Sequence, residues 1–447
     1  MVGATNAIAP ETPKSVDGVE PVDMIASLEH QFDSLEERTE ATLRKLAQSL
    51  SFGVALEAQR LDPDAGMFQY ALEKYSTVAP NEYLSMEDIS NASKKVWDKS
   101  VESLKQLQAE TIEYARVINL GSDRLVEKTN MLYEQSTAIK TPPYKTEFTL
   151  KSPKKFVIDG RYEPKDVTRI ISLANSAFAF HDKIFIQFME TVAKIFDKLS
   201  FNSDFAEEEG IDFAKFSTIS WMTKAEPIEK DDRFRVGSPL FRTPAVQGNK
   251  ALYASGPGEA KENELQNWTY LVNTVRDFSF RYYTVRELKP ANQEALIVEV
   301  KSIDDVRKRL SQLLAISKRF QSRKGYESKL AQALRRIQIT GEKVRTKAGQ
   351  FKVEEEDTPT DDKPKDDIKE KSTKGRPPIS DIIQSITLMI NNVARMVTDY
   401  NNAMAGILRT LGGLTYVAEL ELRAFQPPLR KPTPNEIEGT PNAQPRT

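Results

Sequence analysis

The chain has 447 residues, of which 29% are charged and 39% hydrophobic, with a formal net charge of −2 and a mean hydropathy of −0.50. Such a chain has room for two or three domains, a substantial core and much solvated helix surface. It has no cysteine, which excludes disulfides, thiolate metal sites and a cysteine nucleophile.

Residues 1–20, small, polar and proline-bearing, read as disordered, and "MVGATNAIAPETP" lacks the basic and apolar regions of a signal peptide. Synthesis and use in the cytoplasm, or inside something assembled there, is the expectation. Residues 21–87 read as an acidic helical segment. Ile25, Leu28, Phe32 and Leu35, with Leu46 continuing the spacing, predict a helix over 22–50 that seeks a partner, as in a short coiled coil, so self-association is expected there. Gly53, Pro63 and Gly66 break it, and Pro80 ends the shorter helical piece that follows.

From Ser85 a long helix is predicted to about Gln135, with Val96, Trp97, Val101, Leu104 and Leu107 on one face. "TPPYKTEFTLKSPKKFVIDGRYEP" then changes to two short alternating runs and an Asp159-Gly160 turn. A second long helix is predicted from Pro164 to Leu199, carrying Ile170, Phe178, Phe180, Ile184, Phe188, Val192 and Phe196. His181, Asp182, Lys183 and Glu190 interrupt this most apolar stretch too often for it to span a bilayer. "LFRTPAVQGNKALYASGPGE" and "FSFRYYTVREL" read as strands joined by turns.

A β-containing middle at about 144–300 therefore sits within a helical body at 88–353, whose last part, 301–350, is strongly helical. Residues 354–378 form a charged, disordered linker. The last long helix covers 379–425 with an interruption at Gly412-Gly413, and 426–447 is a proline-rich disordered tail. The fold class is α+β, predominantly α: long helices forming a bundle around a small β-containing subdomain.

Catalytic motifs are missing from this sequence. It holds no dinucleotide or phosphate-binding glycine loop, no G-x-S-x-G and no H-E-x-x-H, and Gly256-Pro257-Gly258 is a turn. His30 and His181 each stand alone on a helix and read as surface or satisfied residues. Asp62, Asp64 and Glu73 fall in a calcium-loop register, but Met67 occupies the sixth place, where the turn needs glycine. The expectation is a non-enzymatic protein without cofactor or metal. Residues 305–350 carry 13 basic residues against 3 acidic. Arg307, Lys308, Arg309, Lys318, Arg319, Arg323 and Lys324 could hold DNA phosphates non-specifically; a solvated helix face lying against acidic neighbours is the simpler reading.

The charge is unevenly spread. Residues 1–87 hold 15 acidic and 6 basic residues, and the remaining 360 hold 50 acidic and 57 basic. The same acidic front is rich in a triplet, a small residue two places before Glu. It occurs at Glu11, Glu20, Glu29, Glu36, Glu57, Glu73 and Glu87, but only four times after residue 90. Helix propensity alone would have scattered it through the later helices as well.

An acidic helical front studded with "ASLE", "DSLE", "VALE", "YALE" and "LSMED", followed by "KKVWDKSVESLKQL", a β-containing middle with "GNKALY" and long terminal helices, resembles the internal head proteins of phiKZ-like and other large tailed phages. The resemblance implies a virion structural protein packed inside the capsid and made in the host cytoplasm as a precursor. It also implies a prohead protease that removes a pro-segment, residues 21–87, by cutting after Glu in such triplets. The implied final cut falls between Glu87 and Asp88, within Ser85-Met86-Glu87-Asp88, with earlier cuts after Glu29, Glu57 and Glu73. Other capsid or internal head proteins, and packaged DNA, are the implied partners; no membrane is. The linker and tail have no counterpart in the pattern. Two other classes fit the pattern less well: a helical membrane-acting or pore-forming protein with a β tongue, and a coiled-coil scaffold or adaptor.

Overall fold

A computed structural model describes residues 30–35, 37–39, 41–42, 86–199, 222, 224–229, 231, 233–234, 239–255, 278–290, 295–325, 328–339, 342–343 and 379–427. The charged linker and the proline-rich tail from 428 onward lie outside them, as do the 1–20 and 43–85 segments.

Helix α1 (Met86–Ala138) is the longest element, about 80 Å at 1.5 Å per residue. Its buried positions step by threes and fours: Leu104, Leu107, Thr111, Tyr114, Ile118, Ser122, Leu125, Thr129, Leu132 and Ser136. That stripe is the seam of a helix packed along its length. Its neighbours are α4 (Ile303–Gln321) and α6 (Ile379–Arg423). Between them, after a turn at 322–325, runs a short helix, α5, at 328–339. Ser302 caps α4 by accepting from the Asp305 N–H, with Asp304 and Asp305 in the first turn.

The predicted Pro164–Leu199 helix begins later, at Thr168, and is not uniform. Pro164 and Lys165 form a turn, and Asp166 accepts from the Thr168 N–H at 2.9 Å. Helix α2 (Thr168–Phe180) passes through a π-turn at His181–Phe185 into α3 (Ile186–Leu199). The π-turn advances the phase of the buried face, so that Phe178, Phe180, Phe185 and Phe188 all enter one core. Phe180 stacks on Phe280 at 4.1 Å between centroids, and Phe188 on Phe278 at 4.5 Å.

Three small sheets are threaded between the helices. β1 (Glu147–Lys151) pairs antiparallel with β8 (Ala295–Glu299), far away in sequence. β2 (Val157–Ile158) and β3 (Arg161–Tyr162) form a hairpin whose Asp159 and Gly160 both have positive φ, as a two-residue primed turn requires. β4 (Glu226–Ile228), β5 (Leu240–Arg242), β6 (Lys250–Ser255) and β7 (Ser279–Thr284) form an antiparallel sheet in sequence order. Alternate residues serve alternate faces: Leu252, Ala254 and Phe280 join the main core, while Ala251, Tyr253 and Leu240 form a smaller cluster on the other side.

The expected interruption of the last helix at Gly412-Gly413 does not occur; α6 runs unbroken through both glycines. The glycines there allow close approach instead. A Cβ on Gly413 would lie 3.3 Å from the Phe156 ring, and one on Gly406 would lie 2.7 Å from the Tyr282 ring. Gly406 is therefore where β7 reaches the surface of α6.

Candidate functional site

Ionic pairs at the junctions of the elements hold this frame in register. Glu421, fully buried near the end of α6, is the clearest case. One carboxylate oxygen accepts from the Lys301 backbone N–H at 2.7 Å and pairs with Lys165 at 3.1 Å; the other pairs with Arg309. Four segments thus meet on one carboxylate: α6, α4, the turn after β3 and the end of β8. Burial lowers the Lys165 ammonium below its ordinary range, with Glu421 opposing that shift. Lys128 and Glu419 pair alongside at 2.9 Å, both nearly buried.

A second junction centres on the π-turn. Arg323 donates to Asp182 at 2.8 and 2.6 Å and lies 2.8 Å from His181 Nδ1, with its guanidinium over the Phe178 ring. Hydrogen bonding from Arg323 pulls the Asp182 carboxyl down to about 2, and burial lowers the His181 imidazole. A third joins sheet to helix: Arg281 on β7 meets Asp399 on α6 at 3.1 Å, and burial pushes Asp399 up to about 6.

These junctions use most of the cations singled out above as phosphate ligands. Arg307 donates to the Ser136 and Ile139 carbonyls and so closes the C-terminal end of α1. Arg309 is on Glu421 and Arg323 on Asp182. Arg319 donates to Asn175 at 2.5 Å and Lys324 pairs with Asp123 at 2.7 Å. Lys308 and Lys318 are exposed and form no ion pair among the described residues.

Of the processing residues, Met86, Glu87 and Asp88 form the first turn of α1. Ser85, Glu29, Glu57 and Glu73 lie outside the described residues, as do Asp62 and Asp64. His30 is exposed at the start of the described N-terminal helix.

That N-terminal helix, helical at 30–35, 37–39 and 41–42, has its partner within the chain. Phe32, Leu35, Thr39 and Thr42 are buried. Asp33 pairs with Arg409 of α6 at 2.9 Å, and the same guanidinium covers the Phe32 ring at 5.2 Å. Arg38 pairs with Glu113 of α1 at 3.0 Å, and Thr42 donates to Glu110 at 2.9 Å. Spacing alone showed that this helix needed a partner but could not distinguish another copy from the chain's own body.

A family model described as phiKZ-like phage internal head proteins matches residues 22–420. The chain belongs to this family. No curated protein and no solved structure matches it. As a phiKZ-like internal head protein it is a structural component of the virion, located in the interior of the phage head in association with other capsid components. The match takes in the docked N-terminal helix and nearly all of α6. No helix among the described residues is long and apolar enough to cross a membrane.

Proposed function

We propose that this internal head protein is made as a precursor and trimmed by a prohead protease, with the last cut between Glu87 and Asp88. The supporting observation is the crowding of small-x-Glu triplets into the acidic front, the last of them at the start of α1. The first turn of a helix has backbone N–H groups without intrahelical partners and frays readily, so a protease can draw it into extended form. Removing residues 1–87 changes the net charge from −2 to +7, by loss of 15 acidic and 6 basic residues. The precursor is thereby close to neutral during assembly, and the mature body is mildly attracted to packaged DNA. Lys308 and Lys318 are the cations of α4 best placed for such contact. Mass spectrometry of the protein extracted from purified virions is the test. A mature N-terminus at Asp88 is the expected result, and virion protein still carrying residues 1–87 covalently would refute the reading.

A further inference from the structure

We propose that the surface formed by α1 and α6 around Glu110, Glu113 and Arg409 is a helix-docking site that holds the 30–42 helix without covalent connection, so that a peptide carrying this helix stays with the body after trimming. This rests on the precursor reading above and adds to it the fate of one piece.

The contacts are those of a ligand in a groove. Phe32 and Leu35, one turn apart, are buried, and Thr39 and Thr42 continue the same face. The flanking charges set direction. Asp33 meets Arg409 on one helix and Arg38 meets Glu113 on the other, so reversing the helix would bring like charges together. The body contributes a buried acceptor to the contact. Glu110 is buried, one oxygen accepts from Thr42 and Gln106, and Oε2 has no hydrogen-bond partner among the described residues.

The candidate cuts bracket this helix. Glu29 immediately precedes its first described residue, His30, and Glu57 follows it, giving a released piece of residues 30–57. In a further triplet, Ser34-Leu35-Glu36, Ser34 and Leu35 are helical and Leu35 is buried. A protease that needs an extended substrate cannot reach that bond while the helix is docked. Docking therefore shields the chain beside this triplet and retains a piece cut at Glu29 and Glu57.

The test uses the full chain with a site for a sequence-specific protease inserted at residues 76–80. After nicking, the N-terminal fragment is expected to co-elute with the body on gel filtration at micromolar concentration. Phe32→Asp with Leu35→Asp should cut the retained fraction roughly tenfold or more. Asp33→Arg should weaken retention, and adding Arg409→Asp should restore it, a rescue that general misfolding would not give. A wild-type fragment that elutes apart from the body would overturn the docking site. In virions, a peptide 30–57 uncut at Glu36 and stoichiometric with a body starting at Asp88 supports the proposal. Trimmed virions without that peptide overturn retention. An intact chain in virions defeats the precursor reading alone, because the nicked complex still reports on docking.

Discussion

Glu421 ties four segments through one carboxylate, and its removal leaves Lys165 and Arg309 with buried charge and no counter-ion. Truncating one partner of a buried pair costs about 3–5 kcal/mol, so Glu421→Ala should lower the urea midpoint by that equivalent, measured by circular dichroism. Asp399 makes a different prediction because its side chain, 14% exposed, is raised from 3.8 to about 6 by burial. Between about pH 4 and 6 the folded chain keeps a proton that the unfolded chain has lost. This group's contribution to stability therefore falls as pH rises through that window. Asp399→Asn removes the effect, so the stability of the variant relative to wild type should improve from pH 4 to pH 7 in parallel urea titrations. His181 acts in the opposite sense. Its lowered value means that stability is lost as pH falls below its ordinary 6.5, but it is present in both proteins and drops out of the difference.

Among the elements, α6 shows how far a sequence rule reaches. Gly412-Gly413 reads as a helix break because glycine costs about 1 kcal/mol in a helix interior. The break is absent because packing along the rest of a 45-residue helix outweighs that cost. Gly413 and Gly406 each admit an aromatic ring, but a Cβ on Gly412 would meet nothing within 4 Å. Gly412→Ala should therefore raise the melting temperature, being worth about 0.5–1 kcal/mol. Gly406→Ala should lower it by displacing Tyr282, at about 1–3 kcal/mol, and calorimetry of the pair separates propensity from fit.

The long helices were legible because their apolar residues recur every three or four places, and the Asp159-Gly160 hairpin because its turn chemistry is local. The β1–β8 pairing was not, since Glu147 and Glu299 are joined only by tertiary structure. Nor could the sequence reveal that Arg309 and Arg323 face carboxylates, because a basic helix looks the same whether its charges meet solvent, DNA or the chain itself.

At the scale of the whole molecule, one chain joins an acidic front to a basic body, and the proposed trimming would change how it meets a polyanion. A chain nicked after Glu87 and stripped of its front should bind duplex DNA without sequence preference at low salt, whereas the intact chain binds weakly. Lys308→Ala and Lys318→Ala should each reduce the slope of log affinity against log salt by about 1, read by fluorescence anisotropy across a salt series.

The β1–β8 ribbon has a mechanical consequence as well. Its strands are antiparallel with Glu147 opposite Glu299, so a pull from the two ends of the chain reaches the ribbon at that one end. Such loading opens the ladder one rung at a time, as a zipper, and does not shear all the rungs together. Just inside the Val300 N–H to Thr146 carbonyl bond that closes this end, two carboxylates stand across from each other, with Lys301 on Glu299 as a local counterweight. Pulled from its two ends, the chain meets the Glu421 junction at Lys301 and the Tyr144–Ala424 backbone bond before the ribbon, so those contacts guard the excursion between residues 147 and 299, which pays out rung by rung only once they have let go.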